Sequence, residues 1–159
     1  MKYLIVIISL LFLIKNTTAQ INTETQGLYL KSFERYIAEF DVYKEKGIGI
    51  LKPEKIFFIE SNLLDSIPQS IKGVDLIEIN SLNYKTFFKT KNTKLSCIHF
   101  EPIQIIKNEI LITVISSTRS YNSRKSHWTI TYGSWFNVFF EFDTNTQNWK
   151  ISRTELKGI

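Results

Sequence analysis

Between Thr23 and Gly47, apolar residues recur at three- and four-residue steps: Leu30, Phe33, Ile37, Phe40 and Tyr43. That spacing predicts one amphipathic helix with these side chains in a single stripe. Thr23 and Gln26 fit a capping box at its start, and Gly47 suits the left-handed position after its last turn. Beyond Gly47 and Gly49 the period shortens. "KIFFIE" (55–60), set extended by Pro53, and "VDLIEIN" (74–80) are short β-branched and aromatic runs that predict strands. Between them, "SNLLDSIPQSIKG" holds Pro68 and Gly73 and reads as a turn with at most one short helical piece before the proline. "SLNYKTFFKTKNTK" (81–94) fits either helix or loop.

From Leu95 onward the pattern predicts four long strands, 95–106, 109–117, 127–142 and 148–156, separated by the short polar turns "KNE", "YNSRKS" and "DTNTQ". In the third, Trp128, Ile130, Tyr132, Phe136, Val138, Phe140 and Phe142 share one parity, which would make one face wholly apolar. Gly133 with Ser134 marks a bend or bulge in mid-strand. Pro102, where the apolar parity shifts, marks a second kink and an edge position. The expected class is therefore α+β: an N-terminal helix packed on a curved antiparallel meander, a cone-like roll.

The first twenty residues, "MKYLIVIISLLFLIKNTTAQ", place a lysine, an apolar run of about a dozen residues and then small residues ending at Ala19 in the order of a secretory signal peptide. The run is short of the roughly 20 residues a bilayer-spanning helix needs. Removal of residues 1–19 is expected, leaving 20–159 as a single domain in a secreted or periplasmic protein. Loss of Lys2 and Lys15 lowers the net charge from +5 to about +3. So mild and dispersed a charge does not suit a nucleic-acid partner, and no membrane span is expected after the signal. The one cysteine, Cys97, excludes an intramolecular disulfide; it is either buried and inert or exposed and able to join two chains, and burial is the expectation.

The tail, an aromatic strand "WFNVFFEFD", a polar turn "TNTQN" and then "WKI" (149–151), resembles the last hairpin of nuclear-transport-factor-2-like and cystatin-like domains, including secreted bacterial ones of unassigned role. The resemblance covers the tail and the helix-first order. It implies a cone whose wide end often holds a ligand pocket and whose sheet face often pairs with a second copy. It carries no activity, because that fold hosts isomerases, dehydratases and binding modules alike.

Three groups of residues carry candidate chemistry. Cys97, His99 and Glu101 alternate on one strand, so their side chains share a face. They could form a nucleophile with its base or a metal half-site, but positions two apart stand about 7 Å from each other, which favours an ordinary mixed strand face. No metal and no cofactor is expected. Arg119, Arg124, Lys125 and His127 beside Tyr121 and Trp128 read first as a solvated hairpin end and second as a contact surface, with rings to stack on a flat ligand and cations to take a carboxylate or phosphate. Trp135, Phe139 and Trp149 are either core or an exposed aromatic band through which the sheet face forms a homodimer. The leading expectation is a non-enzymatic module binding a protein or small ligand. The alternative is a small hydrolase or isomerase with a titratable residue, His99 or a buried acid, in a pocket between helix and sheet.

Overall fold

The computed structural model describes residues 2–47, 52–59, 63–88, 94–122 and 127–158, with side chains described from 23 onward except at 85, 122, 127 and 128. A long helix, α1 (Lys2–Glu45), precedes eight strands and a one-turn helix: β1 (Lys55–Ile59), β2 (Ser70–Ile71), β3 (Val74–Ile79), α2 (Tyr84–Phe87), β4 (Lys94–Phe100), β5 (Gln104–Ile106), β6 (Glu109–Asn122), β7 (His127–Asp143) and β8 (Asn148–Lys157). The strands form one sheet in the order β2-β3-β1-β4-β6-β7-β8, with β5 pairing alongside β6. The chain is thus α+β, with its helix at the N-terminus and a mostly antiparallel sheet.

The sheet is mixed, not a pure meander. β1 pairs in parallel with both β3 and β4. The intervening segments 60–73 and 80–93 each exceed the dozen or so residues that a parallel connection needs, and five- and six-residue strands carry nothing in their own pattern that fixes direction.

α1 also differs from its expected bounds. Gly47 takes the left-handed conformation, φ 69°, as expected after the last turn. At the other end the helix runs straight through Thr23, because residues 2–22 contain neither proline nor glycine to stop it. No capping box forms; the Gln26 amide instead donates to the Asp65 carboxylate. Phe33 and Ile37 are wholly buried, but so is Ser32, and Leu28 and Tyr29 nearly so, which makes the buried face wider than the stripe. Phe33 packs against Phe58 and edge-on to Phe100, with ring centroids 6.2 and 5.9 Å away. Phe40 is only half-buried.

The expected kink at Pro102 is real. β4 ends at Phe100 and β5 resumes at Gln104. The backbone freed by the break is taken up by α1: the Tyr29 hydroxyl accepts from the Ile103 N–H at 3.1 Å and donates to the Glu101 carbonyl at 3.4 Å. Burial raises the Tyr29 pKa, with the Ile103 bond opposing. The expected edge position holds only for β5, since β4 lies between β1 and β6.

The mid-strand bulge is also present, and it overturns the expected faces of β7. Ile115 pairs with Trp135 and Ser117 with Tyr132, so Gly133 and Ser134 together oppose the single residue Ser116. One extra residue reverses the alternation. Phe136, opposite Val114, faces α1 and is 2% exposed, whereas Tyr132, opposite Ser117, faces the other side and is 54% exposed. Tyr132 and Trp135 consequently share a face and stack, with centroids 6.4 Å apart. The aromatic band is divided as well: Phe139 lies buried under the Arg153 guanidinium, 3.5 Å from the ring centre, while Trp149 packs on the core beneath α1.

A second, smaller core occupies the face of the sheet away from α1. Ile79, Phe88 and Cys97 are buried there, with Phe57, Leu95 and Tyr121 against them. The segment that fitted either helix or loop is what covers it. Asn80 Oδ1 accepts from the Leu82 and Asn83 N–H groups, and Asn83 Oδ1 accepts from the Asn80 N–H, a reciprocal turn that opens α2 and sets Phe87 edge-on to Phe57.

Candidate ligand-binding site

Four residues of α1, Tyr36, Glu39, Phe40 and Tyr43, fall at steps of three, one and three, so they share one face of the helix near its C-terminal end. Beneath them the sheet is lined by small side chains: Ser96 of β4, Ser116 of β6, Gly133 and Ser134 at the bulge, and Gly158 beyond β8. Large residues above small ones leave a cavity of about 540 Å³, within the range of small-molecule sites. Ile98 and Phe136 complete its apolar floor.

Its polar groups are few. Burial pushes the Tyr36 phenol up to about 12, with the neighbouring Ser116 hydroxyl opposing the shift. Tyr36 is therefore neutral at any physiological pH. Its ring meets Phe40 edge-on at 5.4 Å and Phe136 at 5.7 Å. Glu39 Oε2 lies 3.2 Å from an Arg35 guanidinium nitrogen, an i,i+4 ion pair. That oxygen is buried and has no hydrogen-bond partner, so the contact is one of charge without a well-aligned N–H. Burial and the Glu39 charge together raise the Tyr43 phenol above its ordinary value.

The residues singled out by sequence lie elsewhere. Ser96 and Ile98 line the cavity, so Cys97 and His99, which alternate with them on β4, face the opposite side. Cys97 is fully buried in the smaller core, and burial pushes its thiol up to about 11 although the Arg119 charge pulls it down. Such a thiol is inert. Glu101 falls beyond the end of β4. Among the described residues no group of three or more histidine, cysteine or acidic side chains is placed to hold a metal ion.

His99 packs against the Tyr132 ring at 6.2 Å, with Nδ1 buried and unpartnered. Burial holds its pKa below the ordinary value, the Arg119 charge adds to the effect, and Glu101 opposes it. Folded His99 therefore stays neutral where the unfolded chain begins to take a proton, below about pH 6.5. The unfolded state then binds more protons, so stability falls as the pH drops through that value toward the folded pKa. His99→Gln should flatten this dependence while retaining His127. Urea midpoints of both proteins at pH 7 and 5.5 check it, and equal slopes would contradict the burial argument.

Of the basic turn, Arg124 and Lys125 lie outside the described residues, as do the side chains of His127 and Trp128. β6 and β7 pair to Asn122↔His127, so the segment does close a hairpin. Tyr121 packs on the smaller core. Arg119 lines a second cavity, of about 440 Å³, beside α2.

Sequence reading marked the cavity residues Phe40 and Tyr43 as members of the apolar stripe, and Gly133, Ser134 and Phe136 as bulge and apolar face of one strand, without bringing them together. It missed Tyr36 and Glu39, whose places one helical step away were the available signal, and it missed Ser96 and Ser116, which no local pattern marks. No protein-family model matches this chain, and no curated protein or solved structure is significantly similar to it, which leaves the chemistry of the cavity to be read from its own side chains.

Proposed function

We propose that the protein is an exported, non-enzymatic binding module, secreted or periplasmic, that holds a small and largely apolar ligand between α1 and the sheet. The 540 Å³ cavity carries this reading: aromatic side chains on one wall, space kept open by serines and glycines on the other, and the neutral Tyr36 and Ser116 hydroxyls to orient a polar substituent. Export accords with the N-terminal pattern. The described core residues of α1 begin at Leu28, so removal of residues 1–19 leaves those contacts in place. Among the described residues no helix is long and apolar enough to cross a membrane. The helix-first order and the β7–β8 hairpin support kinship with the nuclear-transport-factor-2-like and cystatin-like domains and their cone-like roll. A hydrolase or isomerase in this space would have to work through Glu39 or the Lys55 amine at its rim, since Tyr36 is neutral and His99 is on the other face. Glu39 is already engaged by Arg35, and binding is the better reading.

Titration with N-phenyl-1-naphthylamine, a neutral apolar fluorophore, tests the proposal. Saturable enhancement at one site is expected. Ser96→Trp, at an exposed position on the cavity wall, should weaken it by at least about tenfold, or 1.4 kcal/mol, without lowering the melting temperature. Undiminished binding by that variant would remove the cavity from consideration.

A further inference from the structure

We propose that the face of the sheet opposite α1 carries a second, anion-selective site, in which Arg119 receives the carboxylate of a small ligand with an apolar tail. Arg119 lines the 440 Å³ cavity beside α2, and the Ile59, Ile79, Phe88 and Ile130 side chains supply most of the remaining wall. No acidic side chain is among the described lining residues, and Arg119 forms no ion pair with any described residue. Its Nε is buried without a hydrogen-bond partner. A guanidinium drawn into an apolar wall loses hydration that only an anion or several acceptors restore, so its surroundings favour a negative partner.

Among the described residues, the nearby groups do not provide one. Cys97 and His99, two titratable side chains that feel the Arg119 charge, are both held neutral by burial. The polar groups of the cavity favour an anion as well. Asn80 Oδ1 is occupied by two backbone N–H groups, at 3.0 Å each, which fixes the orientation of that amide and leaves its NH₂ as the end free for other partners. Ser81 adds a hydroxyl donor on the same side of the cavity. One cation, the donors of Asn80 and Ser81, the Tyr84 side chain and an apolar wall together fit a monocarboxylate with a short aliphatic or aromatic tail. This site is independent of the α1 cavity, from which the sheet itself separates it.

Isothermal titration calorimetry with octanoate, octanol and acetate, the three compared on Ser96→Trp protein so that the α1 cavity is filled, tests the assignment. Octanoate should bind at one site, while octanol, with the tail alone, and acetate, with the charge alone, should each bind at least about tenfold more weakly. Arg119→Gln should weaken octanoate by a similar factor, and Ser96→Trp, which fills the other cavity, should leave it unchanged. Should Arg119→Gln fail to fold, Ile130→Trp, at an exposed position on the cavity wall, should abolish octanoate binding instead. The assignment is overturned if octanoate does not bind, if octanol binds equally well, if Ser96→Trp abolishes octanoate binding, or if whichever of Arg119→Gln and Ile130→Trp folds leaves it unchanged.

Discussion

Replacing Phe33 by alanine is expected to destabilise the protein by roughly 3–5 kcal/mol, the range for removing a fully buried aromatic side chain from a packed core. Phe33 has no exposed surface, and its ring is held between Phe58 of β1 and Phe100 of β4, with Tyr36 one turn along α1. Those partners belong to a helix and two paired strands, which cannot all close on the void at once, so the cavity cost adds to the lost transfer energy. Phe40, two turns further along, is the contrasting case. It is half-buried and borders a space that is already empty, so Phe40→Ala removes fewer contacts and creates no new enclosed void. Chemical denaturation of both variants should show the Phe33 loss to be clearly the larger. A Phe33 cost below about 1 kcal/mol, or one no greater than that of Phe40, would mean that α1 does not seat as described.

What the sequence disclosed and what it hid divide along the same physical line. Signals carried within one element were legible: the helical stripe through Phe33 and Ile37, the left-handed Gly47, the kink at Pro102 and the bulge at Gly133–Ser134 each depend on local backbone geometry. The consequence of the bulge was not drawn from parity counting. Counting alternate residues from Trp128 to Phe142 assumes an unbroken pleat, and the two residues opposite Ser116 place Tyr132 and Phe136 on opposite faces. Strand direction was hidden for a different reason, since β1 and β3 are too short to show whether their partners run with or against them. His99 shares a face with Cys97 as the spacing required, but which face α1 covers is settled by tertiary packing. The cavity was the least legible feature. It exists because Ser96, Ser116, Gly133, Ser134 and Gly158, from four strands or their ends, leave room beneath one helix, and only Gly133 and Ser134 stand out in their own segment, as a bulge and not as a cavity wall.

The second large effect concerns a polar pair on the face away from α1. Thr113 of β6 and Asn137 of β7 sit directly opposite each other, both nearly buried, and the Thr113 hydroxyl donates to Asn137 Oδ1 at 2.9 Å. Thr113→Val keeps the shape of the side chain but strips the amide oxygen of that donor, and a buried acceptor left unsatisfied costs about 1–3 kcal/mol. Asn137→Leu alone should also destabilise, because the Thr113 hydroxyl then loses its acceptor. Replacing both partners removes both polar groups from a region already flanked by Leu111, Ile115 and Phe139, so the double variant should lose markedly less than the sum of the single changes. The difference is a coupling energy of about 0.5–3 kcal/mol, measurable from urea unfolding of the parent and the three variants. Simple additivity would show that solvent satisfies these groups and that this face of the sheet is wetter than its buried side chains indicate.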